Sequence, residues 1–325
     1  MSANACFAAF QQPAYAALTT KLVTPDQLGR AAGMMQIGLA ASDLLPPLLA
    51  GVLIVQFGLA GVILIDFSTF LFAAAILMLV KMPTQTETDR NPQQQMHWNI
   101  GVLLNETRSG WIYIAARPGL VGLLVYFMIA NFANGVISSI LVPMLLTITT
   151  PDMLGLIISI AGGGMMAGSV VMSAWGGPKR RIRGVLNFEF IKGVGLILIG
   201  LRPETWLVAA GAAIAHFAIP FAAGSNQAIW QEKIPQEMQG RIFAIRQTIA
   251  HCMMPLAFMV VGPLADQVFE PLMKSPHGLF GVVGSILGTG PGRGMGLLFS
   301  LMGVMVVMAV IVGMFSPAIQ SIEDV

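Results

Sequence analysis

Four basic residues, Lys179, Arg180, Arg181 and Arg183, crowd into the Gly/Pro turn GGPKRRIRG at 176–184. Long apolar runs flank that turn, 154–175 before it and 185–201 after it. Runs near twenty residues match the ~30 Å hydrocarbon core of a bilayer as helices. A short loop dense in Lys and Arg between two such runs stays on the cytoplasmic side. This one hairpin therefore restricts the chain to helices crossing lipid and fixes the side from which its other loops are counted.

The whole chain obeys the same constraint. It is 56% hydrophobic and 10% charged, against about 25% charged residues in soluble domains. Lipid leaves backbone polar groups unsatisfied unless the segments are helices or a closed barrel. The apolar runs are continuous rather than alternating, so the expected class is all-α, a polytopic membrane protein. No basic stripe with interleaved aromatics is present, so nucleic acid is not an expected partner. The two cysteines, Cys6 and Cys252, lie far apart and define neither a disulfide framework nor a zinc spacing. No metal or cofactor is expected. The N-terminus lacks a charged region leading into a clean apolar core, so no cleavable signal peptide is read there.

Taken in order, residues 1–20 are weakly apolar and interrupted by Gln11, Gln12 and Pro13, like the end of a spanning helix. A polar turn at 21–30 precedes a run at about 31–56, which holds Asp43, Pro46, Pro47 and Gly51. Phe57 and Gly58 break it, and a further run with Asp66 covers about 59–80. Residues 81–118 are polar and read as a cytoplasmic linker. Its tail, with Trp111 and Tyr113, has the mixed character of an interfacial helix. Six runs follow, at about 119–148, 152–175, 185–201, 205–230, 242–268 and 294–316. The expected division is a partial N-terminal helical half at 1–80, the linker at 81–118 and a six-helix half at 119–325. Basic residues fall in alternate loops, which puts 176–184, 231–240 and the C-terminus in the cytoplasm. About nine spans result, three before the linker and six after it. An odd count with residue 1 outside is most simply explained by three helices missing from the front.

Six plus six helices about a central cytoplasmic linker is the plan of the major facilitator superfamily. PAYAALTTKLVTPDQLGRAAGMMQIGLAASDLLPPLLAGVLI resembles the fourth and fifth helices of its macrolide-efflux and enterobactin-exporter branch, and GLAGVILIDFSTFLFAAAIL the sixth. GWIYIAARPGL resembles the entry to the seventh helix. NQAIWQEKIPQEMQGRIFAIRQ resembles the loop between the tenth and eleventh. GPLADQVFEPLM and GPGRGMGLLF resemble the end of the eleventh and the start of the twelfth. The likeness implies an incomplete major facilitator fold in a cell membrane. It implies a secondary transporter, not an enzyme, that exports amphipathic small molecules by alternating access in exchange for protons. The other class weighed is a truncated, transport-inactive membrane protein or partner subunit. Two departures stand out. Gly176–Arg183 carries the basic part of the superfamily's loop without its acidic residue, and the fifth-helix Gly-Pro pair reads Pro46-Pro47.

Ionisable residues at membrane depth are candidates by default, because burying them is costly. Asp43 is the candidate for taking up a proton or a cationic group, and Pro47 for making the helix pliable. Gln227, Trp230 and Gln231 end an apolar helix, and Asn226 and Gln227 lie deep enough in it to face a cavity. Asn131 and Asn134 share one face at i and i+3. Polar uncharged groups beside aromatics suit a lipophilic substrate, so Asn131, Asn134, Asn226 and Gln227 join the expected pathway. Gly176, Arg180, Arg181, Gly240 and Arg241 are expected to form a gating loop, with the arginines bridging to acids of a neighbouring loop. Glu189 and Lys192 read as a local ion pair near the interface. His216 and His251 read as satisfied packing histidines, Asp66 as a helix-end or inter-helix hydrogen-bonding group, and Asp266 and Glu270 as solvated. Gly162–Gly164 and Gly168 read as a close-packing face. No Gly-x-Ser-x-Gly elbow, His-Glu-x-x-His pair or phosphate loop is present.

Overall fold

The computed structural model describes residues 23–24, 27–79, 100–274, 284–285, 287–288 and 290–324, with the side chains of 43–52, 54–55, Leu77, Leu79 and 100–106 left out. Every regular element among them is helical. α1 runs Leu28–Leu79 with a break at Gly58, whose φ of 65° and ψ of 176° lie outside the helical region. Glycine enters that region at no steric cost. The break falls where Phe57-Gly58 interrupts the apolar pattern. α2 is Ile100–Ala115, α3 Pro118–Ile148, α4 Pro151–Trp175, α5 Arg181–Leu201 and α6 Thr205–Lys233. α7 (Gln236–His251) and α8 (Met253–Pro263) follow, then a π-helical turn at Leu264–Phe269 and the short α9 (Glu270–Lys274). α10 is Arg293–Phe315, and α11, Pro317–Gln320, closes the chain.

Seven helical stretches among the described residues are long and apolar enough to cross a membrane. They are Gln56–Ile76, Pro118–Ile148, Pro151–Trp175, Arg181–Leu201, Thr205–Lys233, Gln236–Met273 and Arg293–Phe315. The chain is thus a multi-pass membrane protein. Of the nine spans expected, the one at 1–20 lies outside the described residues. The run at 31–56 is helical in backbone through Pro46, Pro47 and Gly51, but most of its side chains from Asp43 onward lie outside them too. The last six spans stand where the six apolar runs predict, with shifted ends. α5 starts at Arg181 rather than 185, so Arg181 and Arg183 ride on its first turn. The eleventh-helix run begins at Gln236, directly behind Pro235, and not at 242.

The chain divides into two compact units, 41–105 and the rest. The smaller holds the apolar stretch Gln56–Ile76, of mean hydropathy 2.2. The larger is a bundle built around α5, which packs on α6 along one side and α10 along the other. Glycines make both contacts close. A Cβ on Gly195 would stand 2.7 Å from the Gly211 carbonyl of α6, and one on Gly200 only 2.2 Å from the Gly296 carbonyl of α10. Without a hydrophobic force between helices in lipid, such small residues let backbones gain dispersion contact.

Gly164 and Gly168 do the same for α4 against α6: their Cβ positions fall 2.6 Å from the Ala213 carbonyl and 2.3 Å from that of Phe217. The packing face expected at Gly162–Gly168 is therefore present at these two positions, whereas Gly163 has open space beside it. Gly168→Val is expected to push α4 off α6 and cost about 1–3 kcal/mol. A thermal-unfolding midpoint in detergent equal to that of the native protein would count against the contact.

Two apolar clusters fill the bundle. One, with Leu123, Trp230, Phe243 and Val310, lies toward the end that carries the basic turn; the other, with Met144, Val208, Leu298 and Phe299, lies toward the opposite end. The C-terminal segment ties off the basic end. Glu323 Oε1 accepts from the backbone N–H of Arg181 at 2.6 Å and of Ile182 at 3.2 Å, supplying the α5 N-terminus with an acceptor that no N-cap side chain provides. Lys233 Nζ donates to the Glu323 carbonyl at 2.9 Å.

Candidate functional site

Three helices bring polar groups together inside the bundle. α3 contributes Asn131, α6 contributes Asn226, Gln227 and Trp230, and α7 contributes Arg246 and His251. Phe127, Asn131, Asn226, Trp230, Arg246 and His251 line a cavity of about 80 Å³ between them. Arg246 stands ten residues into α7, about 15 Å along its axis from Gln236, and so well inside the helix rather than in the turn before it.

The α6 groups are placed by helix geometry. Asn226 and Trp230 are one turn apart, and Trp230 Nε1 donates to Asn226 Oδ1 at 3.0 Å. Asn131 spends an N–H on the Phe127 carbonyl one turn back, at 2.8 Å. The turn between α6 and α7 is locked by buried Gln239, whose Nε2 donates to the carbonyls of Gln231 at 3.0 Å and Ile234 at 3.1 Å. That lock sets α7 at the angle that carries Arg246 over α6. Arg246 Nη2 donates to Gln227 Oε1 at 2.8 Å. Its guanidinium carbon lies 5.3 Å from the ring centres of both Trp230 and Phe243, within cation–π range.

Of the expected pathway residues, Asn131 and Asn226 line the cavity, and Gln227 stands behind its wall, bonded to Arg246. Asn134 is exposed, away from this cavity. The side chains of Asp43 and Pro47 lie outside the described residues. Sequence reasoning left Arg246 out of the expected pathway, although it lies within the run at 242–268. The available signal was Pro235: a helix starts readily just behind a proline, which carries Arg246 nearly three turns inside.

The expected gating residues sit at the basic end. Arg180 pairs with Asp324 at 3.7 Å and Arg181 with Glu232 at 4.0 Å. Arg241 Nη1 donates to Ser109 Oγ at 3.2 Å. Gly176 terminates α4 in the left-handed region at φ 84°. Its neighbour is α1: a Cβ on Gly29 would meet the Gly176 carbonyl at 1.9 Å, and one on Gly33 the Ser173 nitrogen at 2.5 Å. Gly240 has open space around it. Two larger hollows, about 310 and 540 Å³, also lie at this end, beside Arg117, Lys233 and Ser321 and beside Tyr113, Glu232 and Gln239. They sit at the helix ends.

Two further charged groups differ from their sequence reading. Glu189 and Lys192 form the expected i,i+3 ion pair, but within the bundle, 3% and 5% exposed, not at an interface. Tyr126 of α3 donates its hydroxyl to Glu189 Oε2 at 2.8 Å. Glu270 is not merely solvated: its Oε1 accepts from the N–H groups of Gly294 at 3.1 Å and Met295 at 3.4 Å, at the start of α10. Asp66 and Asp266 are exposed. His216, half-buried, hydrogen-bonds the Ala212 carbonyl at 2.9 Å, as a packing histidine does, whereas His251 is exposed and hydrogen-bonds the Gln247 carbonyl at 3.0 Å. Among the described residues no cluster of His, Cys, Asp or Glu is arranged to hold a metal.

Comparison with known proteins places this architecture. The family model of the Major Facilitator Superfamily matches residues 2–258. Macrolide efflux protein A of Streptococcus pyogenes is 26% identical over 264 residues, which cover 80% of this chain and 64% of that protein. Macrolide efflux protein A of Enterococcus faecalis is 27% identical over 252 residues, 76% of each chain. The uncharacterized MFS-type transporter YfiS of Bacillus subtilis is 21% identical over 285 residues, 82% of this chain and 64% of that one. The chain thus spans under two thirds of the length of the Streptococcus and Bacillus relatives. No solved structure matches it. The extent of the family match, with its run of membrane-length helices, places the chain in the Major Facilitator Superfamily.

Proposed function

We propose that the chain works in the cell membrane as a secondary transporter that exports amphipathic small molecules by alternating access, with protons moving the other way. The observation that carries this reading is the polar cavity inside the bundle, where Asn131, Asn226, Trp230 and Arg246 meet in a chain of this family. An apolar wall with a few convergent polar groups suits a lipophilic cargo held by a small number of hydrogen bonds. The efflux proteins among the relatives favour the outward direction.

In this reading residues 1–80 belong to one helical half, 81–118 link the halves and 119–325 form the other, with the C-terminus in the cytoplasm. Asn131, Asn134, Asn226 and Gln227 face the cargo path, Pro47 lends its helix pliability and Asp43 carries the exchanged proton. Gly176, Arg180, Arg181, Gly240 and Arg241 frame the cytoplasmic gate. The close approach of Gly29 and Gly33 to the end of α4 supports that placement, because it seals helices at the end where those residues stand.

The test is flux. The 325-residue chain in proteoliposomes with an imposed pH gradient is expected to accumulate a fluorescent amphipathic dye, and collapse of the gradient to abolish the accumulation. Gradient-independent dye content, equal to that of empty liposomes, would remove the transport reading and leave an inactive membrane protein or partner subunit. Asp43→Asn is expected to abolish the dependence on the gradient; unchanged dependence would remove Asp43 from proton exchange.

A further inference from the structure

We infer that the cavity between α3, α6 and α7 binds an anionic group, a carboxylate or its equivalent, on the cargo, with Arg246 as its counter-charge. The inference deepens the transport reading and rests on it.

The argument begins with an unfilled requirement. A guanidinium is donor-only, carries five N–H groups and keeps its charge at any physiological pH. Arg246 meets one neutral amide and two ring faces, and no carboxylate among the described residues forms an ion pair with it. Its Nη1 is shut away from solvent without a hydrogen-bond partner among the described residues. Gln227 Nε2 is in the same position. The orientation of the Gln227 amide is not arbitrary: Arg246 can only donate, so Gln227 must turn its oxygen toward it and its N–H₂ away. Both orphans are therefore donors, held on two side chains that touch. Together they ask for an acceptor, and the charge beside them asks for a negative one.

Two other buried charged residues show how a cation is met elsewhere in the bundle, although Arg293 Nε also lacks a partner among the described residues. Lys192 has Glu189 beside it, and Glu189 has Tyr126. Arg293, at the far end, donates into the carbonyls that end α5. Arg246 alone among these three stands at a cavity wall with rings for company and no acid or backbone carbonyl bonded to it. In a low-dielectric setting an unmatched cation is costly, and intramembrane charges pair or mark a pathway. The cavity's 80 Å³ holds a carboxylate head and not a whole drug. The geometry thus suits an anionic head docked on Arg246, with Trp230 and Phe127 against the first carbons of a lipophilic body. A fork of parallel N–H groups is also the arrangement that carboxylates engage bidentately.

The experiment separates this from the transport reading by measuring binding without flux. The full chain in lipid nanodiscs is titrated, by tryptophan fluorescence, with three probes of one shape: 1-naphthaleneacetate, 1-naphthaleneacetamide and 1-naphthylethylamine. The carboxylate is expected to bind at least tenfold tighter than the amide, and the amine weakest. Arg246→Gln is expected to erase the preference for carboxylate over amide, and Arg246→Lys to keep part of it. Equal binding of carboxylate and amide by the native protein would overturn the proposal without any variant. A tenfold preference that survives in Arg246→Gln would overturn the assignment to Arg246. Carboxylate selectivity in nanodiscs with no flux in proteoliposomes would sink the transport reading and leave the anion site standing. Gradient-driven dye flux with no carboxylate preference would do the reverse.

Discussion

Glu189→Gln is expected to be the most damaging conservative substitution in the bundle. It leaves the Lys192 ammonium, 5% exposed, with no opposing charge inside the membrane-spanning part of α5. Removing one partner of a buried pair costs about 3–5 kcal/mol, because the remaining charge stays desolvated. The neutral amide keeps the shape of the carboxylate, so lost packing contributes little. Tyr126 keeps an acceptor in the amide oxygen, so the loss falls on the ion pair rather than on the α3 contact. The double variant Glu189→Leu/Lys192→Met removes both charges and is expected to be more stable than Glu189→Gln alone. Thermal unfolding in detergent checks the order. If Glu189→Gln unfolds at the native midpoint, Lys192 has another partner and the pair is not what holds it.

Arg293→Met comes second, at about 3 kcal/mol. The Arg293 side chain is buried, and Nη2 donates to the Gly200 carbonyl at 2.7 Å and the Leu201 carbonyl at 3.3 Å. These are among the last carbonyls of α5, which no later turn of that helix can satisfy. Hydrogen bonds to charged groups contribute about 1.5–3 kcal/mol each, and orphaned buried acceptors add their own penalty. Arg293→Lys is expected to recover only part of the loss, since one ammonium on a flexible stem does not reproduce the planar fork. Faster cleavage after the exposed Glu204 by a glutamate-specific protease in Arg293→Met than in Arg293→Lys is the expected readout. Indistinguishable rates in the two variants and the native protein would show that Arg293 does not hold this end.

Most of the architecture was legible because lipid leaves so few choices. The six runs after residue 118 each became a membrane-length helix. The glycine pair that brings α4 onto α6 was visible as Gly164 and Gly168 within an apolar run. Helix ends were read less well, and the reason is chemical. Arg181 and Arg183 are charged, so hydropathy alone pushes them into the loop, and the stretch 236–240 ahead of Arg246 is mostly polar, so hydropathy starts that helix too late. The helices nonetheless accommodate these charges through Glu232 beside Arg181, and through Gln227, Trp230 and Phe243 around Arg246.

The candidate site was half legible. Asn131, Asn226 and Gln227 could be singled out as polar groups in apolar helices. That they converge depends on the turn locked by Gln239, which is a tertiary fact. Glu270 was misread for the same reason: its partners, the first N–H groups of α10, lie twenty-four and twenty-five residues further along.

The grip of Glu323 on the first turn of α5 has a practical side for anyone preparing this protein. The last five residues of this sequence, 321–325, include the acceptor for two otherwise unpaired helix amides and the anchor for Lys233. Trimming them to tidy a crystallisation sample would uncap a helix that the bundle is built around. An affinity handle fused directly behind Val325 would pull on the same fastening, so a spacer belongs between them.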